Sequence, residues 1–416
     1  MHSINKIKSA IDYQKYINYL IIIYAFSIPL SRALTSISIA LLIVLFILDG
    51  NFKNKIDEIK SNNFILAIFV FVLYSIIAVL WSSDKGFALG YFIPKYYHFL
   101  VIPIILTSLK KEYIEKIFSA FLLAMLISEI TSYGIFFELW SKKGISQSDP
   151  SPFMSHSNYS IYLAFTIFIL LHKMIYSNSI KWRLAYGIFF IFSTSNLFLN
   201  GGRTGQVAFL VTLCFVGILS FKNKIKATLA FIFLGVAIVT AAYSISPVFK
   251  DRANYLVHDI QKMVYEKDYS NSFSTRVALW MSGLEASKEA PIFGTGIGDE
   301  KINAEAGMIK YKIPNIFGND NTKNYIDFHS AYVQYLVQLG IVGLMLFLSI
   351  FYFLIKVKIK KTMYKNLLYL FIVLYILQSS VGLTFHIQKS MIFFVLFSSL
   401  FLVIAKYEKE ETSANP

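Results

Sequence analysis

The chain has 416 residues, of which 56% are hydrophobic and only 15% charged, with a mean hydropathy of +0.58 and a formal net charge of +15. A soluble protein of this composition would expose more apolar surface than solution tolerates, which leaves a protein that crosses a membrane many times. The lone Cys214 excludes an internal disulfide, and no Cys, His and carboxylate cluster has metal-ligand spacing, so neither a metal nor another cofactor is expected.

Long, nearly continuous apolar runs lack the two-residue alternation of a barrel strand, so the expected fold is an all-α polytopic membrane protein. About twelve spans are expected, near 17–30, 33–49, 63–81, 97–109, 115–138, 158–175, 184–199, 206–221, 227–245, 330–355, 367–383 and 390–405. The first run reads as a retained helix rather than a signal peptide, because a second follows after only Ser31-Arg32 and no small-x-small cleavage site separates them. Glu129 is the main charged group inside an expected span, where a cavity or a hydrogen-bonding neighbour would have to hold it.

Three regions follow: nine helices over 1–245, a polar loop over 246–329, and three more helices with a tail over 330–416. With the N-terminus inside, the inner loops carry 22 of the 39 lysines and arginines, the short outer loops 7 and the long loop 10. That bias predicts both termini in the cytoplasm and the long loop outside. The tract Lys356-Val357-Lys358-Ile359-Lys360-Lys361 then anchors to anionic membrane lipids rather than to nucleic acid. Gly294-Thr295-Gly296-Ile297-Gly298 lacks the lysine of a phosphate loop, so ATP is not an expected substrate.

Within the loop, 252–267 places Leu256, Ile260, Met263 and Val264 on one stripe, the spacing of an amphipathic helix lying on the bilayer or over the bundle. A second helix is expected to be capped by Ser272 or Ser274, to carry Arg276 in its first turn, to bury Val277, Trp280, Met281 and Leu284, and to end before Pro291. The remainder, up to His329, reads as irregular loop. Tyr311 and Tyr325 are available to stack on sugars there, or as interfacial aromatics.

Three residues carry candidate chemistry. Arg203 lies in Asn200-Gly201-Gly202-Arg203-Thr204-Gly205, where it either snorkels to headgroups or grips a phosphate bidentately while glycines bring the backbone close. Arg276 is either an ordinary solvated charge or a second phosphate contact. His329, at the loop–membrane boundary, is either a structural hydrogen-bonder or a base able to take a proton near neutral pH. Gly202, Thr204, Lys95 and Arg32 are supporting candidates, while His98, His156 and His386 lack a comparable frame.

Arg203 in its Gly-Gly-Arg-Thr-Gly frame, Arg276 ahead of Trp280 and Gly294-x-Gly296, and the run His329-Ser330-x-Tyr332-x-Gln334-Tyr335-Leu336-x-Gln338-Leu339-Gly340-x-x-Gly343 resemble the O-antigen ligase family of bacterial inner-membrane glycosyltransferases. The likeness covers roughly 185–345. It departs at Ser330, where the family usually has asparagine, and at Gln338, where it often has a carboxylate. The resemblance implies an inverting, metal-independent transfer on the periplasmic face, from a glycan on undecaprenyl pyrophosphate to a sugar hydroxyl of the lipid A core, in lipopolysaccharide biosynthesis. Arg203 and Arg276 would hold the pyrophosphate and His329 would be the base.

A polymerase acting on lipid-linked repeats shares the superfamily. Its frequent spacing of arginine followed eleven residues later by glycine is missing here, since Cys214, Met263 and Ser287 occupy those places after Arg203, Arg252 and Arg276. An oligosaccharyltransferase of the pilin-glycosylating kind would have a protein acceptor, for which no appended recognition domain is seen. A lipid-linked glycan flippase, needing no base, would instead carry charges deep in its spans.

Overall fold

Each expected apolar run forms a helix in the computed structural model, which describes residues 12–311, 313 and 327–414; among these no β-strand is present. Among the described residues, nine helical segments are long and apolar enough to cross a membrane. Three of the twelve expected spans fall short by that measure. The helices α1 (Tyr13–Leu30) and α8 (Ile180–Leu199) contain charged and amide side chains, and α9 (Arg203–Ser220) is a shorter apolar helix.

Helices α2 (Arg32–Asp49), α3 (Phe52–Lys60) and α4 (Asn63–Ala78) follow α1. The next segment, expected as 97–109, runs over Lys85–Ser108. Only its end, α5 (Val101–Ser108), is regular; Ala88–Phe92 is π-helical and Ile93–Leu100 is 3-10, in a stretch interrupted by Gly90 and Pro94. The bundle continues with α6 (Ile114–Phe136), α7 (His156–Tyr176), α8, α9 and α10 (Lys224–Ile245). It closes with α14 (Ala331–Ile355), α15 (Thr362–Val381) and α16 (Gln388–Ala414).

Burial follows the bundle. Helix α7 is buried nearly all round, whereas Ile37, Leu41, Val44 and Ile47 leave one side of α2 exposed, an apolar face suited to lipid. Tyr335, Phe71, Phe347, Phe385 and Phe394 form an aromatic centre with rings edge-on or tilted 4.7–6.3 Å apart. Glu129 is fully buried in α6 and accepts the Ser193 hydroxyl of α8 at 2.9 Å, which identifies its hydrogen-bonding neighbour.

The polar loop is more ordered than the sequence suggests. Its first helix, α11 (Pro247–Tyr265), is where expected, but Ile260 and Val264 of its apolar stripe stay exposed and Asp259 is buried instead. In α12 (Ser272–Ala286) the expected stripe is overturned. The buried face is Ser274, Ala278, Leu279, Ser282, Gly283 and Ala286, with Leu284 exposed. Small residues allow close approach: a Cβ on Gly283 would meet Phe328 and Val333, and one on Gly307 would meet Ser282. The cap differs too, because neither Ser272 nor Ser274 caps α12 and the Phe273 amide is taken by Asp259 of α11 at 2.8 Å. A third helix, α13 (Glu300–Tyr311), occupies sequence read as irregular and packs on α12.

Between α12 and α13, residues 291–298 re-enter the bundle. They dock where α14 breaks at Gly340, whose φ of 64° no neighbouring residue shares. Thr295 donates its amide to Val337 O at 2.8 Å, Gly296 to Gln338 O at 3.1 Å, and Ile341 and Val342 return bonds to Pro291 O and Ile292 O. The freed helix carbonyls and amides are thereby satisfied, which permits irregular backbone inside a bundle. A side chain at Gly340 would collide with Ile292 O and one at Gly294 with the Gln338–Leu339 backbone. Gly294 thus serves this contact, while Gly296 and Gly298 allow close approach to Ser82 and Asp84.

Candidate active site

Sequence neighbours fix His329 from every side. Phe328 is wholly buried against Gly283, and its amide donates to the Gln334 side chain at 3.1 Å. Ser330 caps α14. Between these anchors His329 takes a left-handed backbone, φ 48°, which histidine tolerates better than most residues.

Asp327 holds that turn. One carboxylate oxygen accepts the His329 backbone amide at 2.8 Å and stands 3.0 Å from its Nδ1. The Asp327 side chain is 23% exposed and that of His329 46%. Burial raises the Asp327 carboxyl, but the hydrogen bonds and charge of His329, with His386, overcome it and hold it below the usual carboxylate range. With Nδ1 occupied, Nε2 is the nitrogen left for a reacting proton. Asp327 was not singled out in the sequence, where an aspartate two residues before a histidine in a polar loop carries no signal.

Arg276 lies within the electrostatic field of this pair, and Arg203 within that of Arg276. Burial lowers the Arg276 pKa while Asp327 opposes it. Arg203, half-buried at the start of α9, lies within electrostatic reach of Arg252 and Arg276, which repel it, and of Asp259, which attracts it. Arg203, Arg276 and His329 are therefore brought to one end of the bundle. Lys95 joins them, within the field of Asp327 and 3.4 Å above the Tyr91 ring.

Other candidates are reassigned. A Cβ on Gly202 or Gly205 would strike Ser160 of α7, and the Gly202 amide is bonded to Asn200 Oδ1, so these glycines allow helix contact and do not expose amides to a phosphate. Gly201 is the glycine facing charge, with Arg252 Nη2 3.3 Å and Asp149 Cγ 3.7 Å from where its Cβ would stand. Thr204 lies half-buried on the first turn of α9. Arg32 lines a separate cavity of about 840 Å³ with Lys142, Asp149 and His156.

His156 does have a frame, contrary to expectation: its Nδ1 lies 2.8 Å from Asp149 Oδ2. Burial raises the Asp149 carboxyl, and hydrogen bonds from His156 and Ser151 bring it below its ordinary value. His386 is buried with Nδ1 3.3 Å from the Tyr335 hydroxyl; burial and Lys95 push its pKa down to about 3, against Asp327. The Tyr311 hydroxyl donates to Glu285, and Tyr325 lies outside the described residues. Among the described residues, no three His, Cys, Asp or Glu side chains converge to hold a metal.

Comparison with known proteins adds to this geometry. Residues 188–348 match the family described as O-antigen ligase, a stretch that includes Arg203, Arg252, Arg276, Asp327 and His329. An uncharacterized protein of Haemophilus influenzae is 30% identical over 232 residues, covering 52% of this chain and 55% of the relative. The match thus spans about half the length of that relative.

Proposed function

We propose that the protein is an O-antigen ligase, a membrane glycosyltransferase, a reading supported by the match of residues 188–348 to that family. It transfers a glycan from undecaprenyl pyrophosphate to a sugar hydroxyl of the lipid A core, on the periplasmic face of the inner membrane. The observation that supports this reading is the Asp327–His329 pair, with Arg276 in the field of Asp327 and Arg203 in that of Arg276.

In the proposed reaction the acceptor hydroxyl loses its proton to His329 Nε2 as its oxygen bonds to the anomeric carbon. The bond from that carbon to the phosphate oxygen breaks, and its electron pair leaves with the pyrophosphate. Displacement from the opposite face inverts the anomeric centre. Negative charge grows on the leaving group, so guanidiniums aimed at it stabilise the transition state more than the ground state. Asp327 keeps the imidazole in one tautomer and favours the cation that forms. Arginine pairs and a base suffice for these steps, so transfer should continue in the presence of a strong chelator.

The lipopolysaccharide profile of a deletion strain tests the assignment. Loss of all polymer from lipid A, with undecaprenyl-linked polymer accumulating, is expected of a ligase. Single repeats remaining on lipid A would make the protein a polymerase, and failure of glycan carriers to reach the outer face would make it a flippase.

A further inference from the structure

Arg252 lies on the second turn of α11 and has its guanidinium over Gly201, with Nη2 3.3 Å from the position of the missing Cβ. It shares with Arg203 a cavity of about 400 Å³ whose wall also carries Ser148, Tyr255 and Asn271. Two carboxylates, Asp251 and Asp259, line the same cavity, but Asp259 is engaged by the Phe273 amide, and nearby Asp149 by His156 and Ser151. Among the described residues, Arg203, Arg252 and Arg276 form no ion pair with any carboxylate. Arg203 and Arg252, set in one cavity and each without a carboxylate at ion-pair distance, make a seat for an anion, whose arrival removes their mutual repulsion.

Their order gives the seat a direction. Asp327, which holds His329, acts on Arg276, whereas the cavity that Arg252 shares with Arg203 has neither Arg276, Asp327 nor His329 in its wall. Arg252 is thus at the end away from the base. A group displaced by a nucleophile on the His329 side departs toward the opposite side, so its second phosphate extends toward Arg252. We propose that Arg252 is a third phosphate-binding residue, seated for the phosphate farther from the sugar, through which the protein prefers a pyrophosphate link over a monophosphate one. The proposal rests on the lipid-pyrophosphate donor of the preceding section.

Binding of undecaprenyl pyrophosphate and undecaprenyl phosphate to the full chain in nanodiscs tests it, with thermal unfolding as the folding control. Wild type should prefer the pyrophosphate. Arg252→Gln should lose roughly 10–100-fold in pyrophosphate affinity, the worth of a charged hydrogen-bonded contact, while monophosphate affinity changes less than about threefold. Gly201→Ala, which presses on the guanidinium without altering charge, should shift the preference the same way by less. Equal losses for both lipids would reduce Arg252 to a source of general field, and no loss would remove it from the site; either result overturns the proposal. Wild-type protein that bound neither lipid would instead overturn the donor assignment itself.

Discussion

At residue scale the site depends on one short turn. His329 is forced into a left-handed backbone by a buried phenylalanine before it and a helix cap after it, and Asp327 secures both its amide and its ring. If His329 is the base, His329→Gln should lose roughly 10²–10⁴-fold in single-turnover rate with donor binding retained. Asp327→Asn should lose less, about 10–100-fold, and the double variant should be no slower than His329→Gln alone, because the aspartate acts only through the histidine. The sign of the pH dependence follows from the depressed Asp327 carboxyl. Its benefit is present above the ordinary carboxylate range and disappears as pH falls through its own lower value, so the wild-type to Asp327→Asn ratio should be flat between about pH 6 and 8 and shrink in acid. Additive losses in the double variant would show that the two residues act separately.

Elements decide how that turn is held in place. Helix α14 carries His329 at its mouth and breaks at Gly340, where 291–296 enters and completes the backbone hydrogen bonds. Tyr74 of α4 reinforces the join, its hydroxyl donating to Leu339 O at 3.1 Å. Gly340→Ala should therefore expel the segment. The positive-φ extended backbone, open almost only to glycine, costs about 1–3 kcal/mol with a side chain, and the clash with Ile292 O adds to it. The expected outcome is a lower melting temperature and new protease cleavage near 291–298. Gly90→Ala, whose Cβ would meet nothing within 4 Å, is the matched control and should behave as wild type. Equal melting temperatures for the two variants would remove the structural role given to the re-entrant segment. The sequence displayed these glycines but not their purpose, since Gly340 and Gly294 are 46 positions apart and fit each other only after folding.

For the whole molecule, the two ends of the bundle differ in how charge is used. The end opposite the site closes its lysines onto carboxylates: Lys173 onto Glu115, Lys406 onto Glu58 and Lys111 onto Glu411. At the site end the three arginines make no such pairs. The positive-inside bias predicts that the paired end is cytoplasmic. In a Cys214→Ala background, a cysteine at Ser270 should react with an impermeant thiol reagent added outside, and one at Lys358 should not, both positions being exposed. The reverse pattern would place the site on the wrong face for a lipid-linked donor delivered to the periplasm.

Composition and apolar run length were enough to determine a helical membrane protein and the location of its helices, because hydrocarbon imposes one length and one polarity on every span. The polar residues of the Gly-Gly-Arg-Thr-Gly frame and the His329 run were equally visible, since charge and histidine stand out against an apolar chain. Three things were decided only by tertiary structure: the small-residue face of α12, the entry of 291–298 at Gly340, and the cavity shared by Arg203 and Arg252, apart from the pairing of Asp327 with His329. Each depends on which surfaces meet across long sequence separations. A hydropathy pattern records how greasy a side chain is, and not which carboxylate or guanidinium the folded bundle sets beside it.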